Sequence, residues 1–80
     1  MTKDNSFTAK QVGERIRERR TELRLSMSQL GDRLGVNKST IQRYETGGVD
    51  PERTILIVPI AEALETTPEW LIGKSDAKEY

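Results

Sequence analysis

Apolar residues along the first fifty positions recur at intervals of three and four. Val12, Ile16 and Leu23 fall on one stripe of residues 9 to 23, with Glu and Arg alternating around the rest, the pattern of an amphipathic surface helix. Leu30, Leu34, Val36, Ile41 and Tyr44 continue the apolar positions, with Gly31 and Gly35 where two crossing helices would need no bulk. Three starts repeat one local device, a capping residue preceded by an apolar residue that can close onto another five positions later. These are Phe7-Thr8 with Val12, Leu25-Ser26 with Leu30, and Val36-Asn37 with Ile41. Gln11 and Gln29 stand at N3 and complete capping boxes at the first two. The pattern predicts helices over 9–23, 27–34 and 38–46. Arg20 lies on the first helix's apolar stripe, where its stem can cover the core edge or its head can meet a buried carboxylate, with Glu45 as the candidate.

The last third reads less simply. Ile55-Leu56-Ile57-Val58 is rich in β-branched residues, and Pro59 sits poorly inside a helix. A strand here would have no partner elsewhere in the chain, however, and would leave its backbone groups unpaired. Asp50 followed by Pro51 reads as a cap and a proline at the first helical position, which predicts a helix over 51–64 broken or bulged near Pro59. Thr67-Pro68-Glu69 repeats that start for a short last helix, which Gly73 ends. Residues 1–7 read as an N-terminal arm, 8–73 as the folded domain and 74–80 as a tail or linker.

The spacing from Met27 to Thr46 is that of a helix-turn-helix. Gly35 supplies the left-handed residue that ends one helix, Asn37 caps the next, and three residues between two apolar helices make them cross steeply. Such a unit exposes one polar helix for insertion into the major groove of DNA. At about 100° per residue from Lys38, the side chains of Lys38, Ser39, Gln42, Arg43 and Thr46 occupy an arc of about 140°, with Tyr44 and Ile41 on the opposite side. Arg or Lys can read guanine O6 and N7, Gln can bond adenine bidentately, and Ser can serve either. The backbone amides that open the second and third helices, around Met27, Ser28 and Lys38, would offer partial positive charge to phosphates.

Composition narrows the chemistry. Eighty residues bury only about 60% of the surface of the unfolded chain, which leaves little room for an enclosed catalytic cavity. There is no cysteine and no histidine, which excludes disulfides, thiolate or imidazole zinc sites, cysteine nucleophiles and any triad with a histidine base. No metal or other cofactor is expected, and no small-molecule ligand. The apolar stretch Ile55 to Ala61 is far short of the ~20 residues that span a bilayer, and the N-terminal stretch has no export signal, so a cytoplasmic protein with no membrane partner is expected. Net charge is zero, yet residues 10 to 43 carry nine basic side chains against four acidic, with the reverse excess in the remainder. One face of so polarised a molecule can be drawn to DNA, although basic residues interleaved with Glu also describe a solvated helix face.

The segments IRERRTELRLS, LGVNKSTIQRYETG, IAEAL and TPEWLIG, within residues 12 to 73, resemble the Cro and phage-repressor (XRE) family of helix-turn-helix transcriptional regulators. The resemblance implies an all-α, compact five-helix lambda-repressor-like domain whose second and third helices form the helix-turn-helix. It also implies cytoplasmic action on double-stranded operator DNA, as a homodimer. By matching position, Lys38, Ser39, Gln42 and Arg43 would face bases, Asn37 and Thr46 would lie near the DNA backbone, and Arg20 and Glu45 would form a structural ion pair. Three departures stand out. Met27 replaces the family's usual Gln, Gly31 replaces its usual Ala, and the stretch from Pro51 to Ala61 is one residue longer and contains Pro59.

Trp70 could stack on a base, but its place in TPEWLIG fits a core anchor for the last helix. Whichever of Leu71 and Ile72 points outward becomes, by the family resemblance, the candidate dimer seam. The expectation is a sequence-specific DNA-binding regulator, a repressor acting on a pseudo-palindromic operator. The alternative is a protein-interaction module, an antitoxin or antagonist, on the same fold.

Overall fold

The computed structural model describes residues 7–77. Five helices follow in order: α1 (Ala9–Glu22), α2 (Met27–Leu34), α3 (Lys38–Glu45), α4 (Thr54–Ala63) and α5 (Pro68–Leu71). There is no strand among the described residues, and no helix there is long and apolar enough to cross a membrane. The arm, apart from Phe7, and residues 78–80 of the tail lie outside the described residues.

The first three helix starts form as their caps predict. The Gln11 amide donates to Thr8 Oγ1 at 3.3 Å while the Thr8 amide donates to Gln11 Oε1 at 2.9 Å. Ser26 and Gln29 make the same reciprocal pair at 3.0 and 2.8 Å, and Asn37 Oδ1 accepts the Thr40 amide at 3.0 Å. Thr67 accepts the Trp70 amide at 3.1 Å, with Pro68 at the first position of α5.

The start of α4 departs from the expected helix over 51–64. The Asp50 carboxylate accepts the Glu52 amide at 2.9 Å, and the Asp50 carbonyl accepts the Arg53 amide at 2.9 Å. These bonds close a turn, with Pro51 fixing φ at its first corner, so Asp-Pro here initiates a turn rather than a helix. The helix begins only at Thr54, with no side-chain cap. Nor is it broken at Pro59, since α4 runs unbroken to Ala63. The carbonyl that Pro59 cannot bond belongs to Ile55, which is 74% exposed, so the missing bond falls on the solvent side, where water is available to carbonyls.

Each helix ends through a residue with positive φ: Arg24 at 59°, Gly35 at 74°, Gly47 at 115°, Glu65 at 55° and Gly73 at 83°. At each end the next amide reaches back five residues, as in Leu25 N–H to Arg20 O (3.0 Å) and Val36 N–H to Gly31 O (2.9 Å). The two glycines of the helix-turn-helix therefore serve different ends. A Cβ on Gly31 would lie 2.5 Å from the Val36 carbonyl oxygen, whereas a Cβ on Gly35 would meet nothing within 4 Å. Gly35 is needed for its left-handed backbone angle, as the sequence predicts, and not for the room that its place between crossing helices also suggests.

One core joins all five elements, with Val12, Ile16, Leu30, Ile41, Leu64 and Leu71 fully buried. α3 packs on both α1 and α2, α2 reaches α4, and α5 closes the ends of α1 and α4. Phe7 is tied to this body through its amide, which donates to Ile72 O at 2.9 Å.

Candidate nucleic-acid interface

α3 divides into two faces as the arc predicts. Ile41, Tyr44 and Glu45 are buried, while Lys38, Ser39, Gln42, Arg43 and Thr46 are exposed. Two contacts set its height above α1. Gly13 brings the backbones so close that a Cβ there would lie 2.4 Å from the Glu45 carbonyl oxygen and 2.7 Å from that of Tyr44. Beside it, Arg20 Nε donates to Glu45 Oε2 at 2.5 Å and Nη2 to Oε1 at 3.2 Å, while Nη1 donates to Leu25 O at 2.8 Å. The Arg20–Glu45 pair thus fixes the far end of α3 to α1 and also ties the chain at the start of α2.

The exposed face is not uniformly free to bond a ligand. Lys38, Gln42 and Arg43 have side chains without a hydrogen bond or ion pair to any described residue. Ser39 donates its hydroxyl to Asn37 Oδ1 at 2.8 Å, which leaves it an acceptor outward, suited to an exocyclic amino group of adenine or cytosine. Asn37 Oδ1 also accepts the Thr40 hydroxyl at 3.0 Å, so the Asn37 amino group is the part of that side chain able to donate to a phosphate. Thr46 donates to Gln42 O at 3.0 Å and Arg43 O at 3.2 Å, so its hydroxyl closes the helix end and holds no proton for a phosphate.

At the start of α2 the capping box satisfies the Ser26 and Gln29 amides and leaves those of Met27 and Ser28 without an intrahelical partner. Met27 itself is half-buried and packs against the core, whereas Ser28 is exposed. Whatever this helix start offers an anion comes from its backbone, with Ser28 Oγ beside it.

The basic half of the chain does two kinds of work. Arg15 lies between two rings, its Cζ 4.3 Å from the Trp70 centroid and 4.8 Å from that of Phe7, and donates to Trp70 O at 2.9 Å. Arg19 donates to Leu64 O at 2.9 Å and Glu65 O at 3.0 Å, and Arg33 to Ala63 O at 2.9 Å and Glu65 Oε2 at 3.0 Å. These arginines hold the carbonyls at the ends of α4 and α5, where cations are favoured by the helix dipole. With Arg20, they account for four of the nine basic groups in residues 10–43. Lys10, Arg17, Arg24, Lys38 and Arg43 are exposed and make no such side-chain bond to a described residue. Sequence reasoning did not separate these two sets. Its available signal was position: Arg15 and Arg19 each stand three residues after a core residue, Val12 and Ile16, at the stripe's edge. Trp70 is 2% exposed and cannot stack on a base, and of the adjoining pair Leu71 is fully buried and Ile72 half-buried.

Comparison with known proteins follows the same lines. Residues 11–71 match the model of a helix-turn-helix domain family. Repressor protein C2 of Salmonella phage P22 is 33% identical over 61 residues, covering 76% of this chain. An HTH-type transcriptional regulator of Sinorhizobium medicae is 42% identical over 64 residues, covering 71% of it. The chain spans 28% and 46%, respectively, of the lengths of these two relatives. Among solved structures, the P22 c2 repressor in complex with a synthetic operator superposes with a TM-score of 0.68 at 30% identity, covering 80% of this chain and 96% of that one. The restriction-modification controller protein C.AhdI of Aeromonas hydrophila gives 0.70 at 30% identity, with the same coverage. The same fold occupies 34% of the hydroxypropylphosphonic acid epoxidase of S. wedmorenis, with a TM-score of 0.71 at 22% identity.

Proposed function

The chain belongs to the helix-turn-helix domain family, and on that premise we propose that it binds double-stranded DNA in a sequence-specific manner and represses transcription from a pseudo-palindromic operator. The observation that carries this reading is the exposed face of α3, where Lys38, Gln42 and Arg43 stand without a side-chain partner among the described residues, on a helix locked to α1 by Gly13 and the Arg20–Glu45 pair. A reading head needs both properties, free polar groups and a fixed height.

In this reading α3 enters the major groove, Lys38 or Arg43 bonds guanine, Gln42 bonds adenine, and Ser39 accepts from a base amino group. The amides of Met27 and Ser28 and the Asn37 amino group hold the flanking phosphates and set the register. Two copies place their α3 helices in successive major grooves about 34 Å apart, and occupancy of the operator excludes polymerase. Ile72, the outward member of its pair, is the candidate seam between copies. The family, the small solvent-facing site and the absence of cysteine and histidine from the sequence support a binding rather than a catalytic role. Action in the cytoplasm, where the operator would lie, completes the reading.

Selection of bound duplexes from a random-sequence pool, followed by sequencing, tests it. A two-fold symmetric motif is expected; absence of enrichment even at low salt would overturn the proposal and point to a protein partner for the α3 face.

A further inference from the structure

Around α1, at about 100° per residue from Gly13, the side chains fall into consecutive sectors. Arg15 and Arg19 lie on the flank that holds the ends of α5 and α4. Val12, Ile16 and Leu23 come next and form the core stripe. Arg20 and Gly13 follow, against the end of α3. Just beyond them, at about 40° and 60°, stand Arg17 and Lys10. Both are exposed, and neither side chain bonds to a described residue. Lys10 is placed directly beside the end of α3, since a Cβ on Gly47 would lie 3.8 Å from the Lys10 Cα. The carboxylates of this helix, Glu14, Glu18 and Glu22, lie farther round, at about 100°, 140° and 180°, and on the α3 side, among the described residues, Glu45 is held by Arg20.

Arg24 prolongs the row past the end of α1. Its φ of 59° is a left-handed backbone place that favours glycine, yet it carries an exposed arginine, two residues ahead of the Ser26 cap that opens α2.

The geometry points to Lys10, Arg17 and Arg24 as a second DNA-binding element, a row of phosphate contacts on α1 that follows one strand from the end of α3 to the start of α2. This deepens the reading of α3 as the base-reading helix and rests on it. At 1.5 Å of rise per residue the row is about 21 Å long, comparable to about six phosphates of one strand at 3.4 Å each. Its role is sequence-independent: it neutralises phosphates and releases counterions, and it leaves base preference to α3.

The test compares the full chain with its Lys10→Gln, Arg17→Gln, Arg24→Gln triple variant on a duplex selected by the unsubstituted protein. Affinity is measured between 50 and 200 mM salt. Loss of three phosphate contacts makes the slope of log affinity against log salt shallower by about 2.7, so the fourfold rise in salt costs the unsubstituted protein roughly 40-fold more affinity than the variant. Arg17→Gln alone shifts the slope by about 0.9, and the selected motif is unchanged in both. An unaltered slope in the triple variant, with Lys38→Gln still weakening binding, would overturn the row while leaving the α3 reading intact. If the unsubstituted chain selects no duplex, the α3 reading falls, and the row falls with it.

Discussion

Arg20 and Glu45, 25 residues apart, meet in a two-pronged ion pair whose side chains are only 13% and 3% exposed. The pair joins the first helix to the end of the third and so fixes the attitude of the face that carries Gln42 and Arg43. Removing one partner strands the other charge in a buried site. Arg20→Ala or Glu45→Ala is therefore expected to lose about 3–5 kcal/mol in urea unfolding. Replacing both by apolar residues of similar volume should recover much of that loss. Single variants as stable as the original would show that the pair is solvated and that some other contact holds α3.

Gly13→Ala separates helix propensity from packing. On propensity alone the change stabilises a helix by about 1 kcal/mol. In this fold the new methyl meets the Glu45 and Tyr44 carbonyl oxygens at 2.4 and 2.7 Å, and both obstacles are backbone. Net destabilisation of about 1–3 kcal/mol is expected, because α1 and α3 must part. A rise in thermal midpoint would contradict the close approach.

Arg24→Gly should stabilise. The left-handed backbone at φ 59° is a strained place for arginine, and its side chain has no partner among the described residues. Relief of about 1 kcal/mol corresponds to a rise of about 4–8 °C in Tm for a domain of this size. Glycine here also removes one basic group from the α1 row, so stability and DNA affinity should move in opposite directions.

Arg19→Ala is the counterpart of Arg17→Gln. Arg19 bonds the Leu64 and Glu65 carbonyls, and its loss should lower stability by about 1.5–3 kcal/mol. The salt dependence of DNA binding should stay unchanged. A shallower salt slope would place Arg19 on the DNA instead.

Local chemistry made the first three helices legible. A capping box is written within four residues, and Thr8-Gln11 and Ser26-Gln29 form as their spacing dictates. The division of α3 into buried Ile41 and Tyr44 and exposed Gln42 and Arg43 follows from the same short-range periodicity. Asp50-Pro51 was ambiguous for a physical reason: an aspartate that caps a helix and one that closes a turn both accept an amide two or three residues on, so the local sequence alone does not separate the two outcomes. The arginine roles were illegible because their partners are carbonyls far along the chain, Trp70 for Arg15 and Leu64 for Arg19. Thr46 shows the same limit at short range, since its hydroxyl proton serves the last turn of α3.

The motif selected from random duplexes by the chain and by its Arg43→Ala variant tests base reading by α3 most directly. A two-fold symmetric motif is expected for the former and, for the latter, relaxed preference at one position in each half-site with a loss of about 1–3 kcal/mol. An unchanged motif with affinity lowered evenly over all sequences would contradict that expectation, because Arg43 would then touch only phosphate.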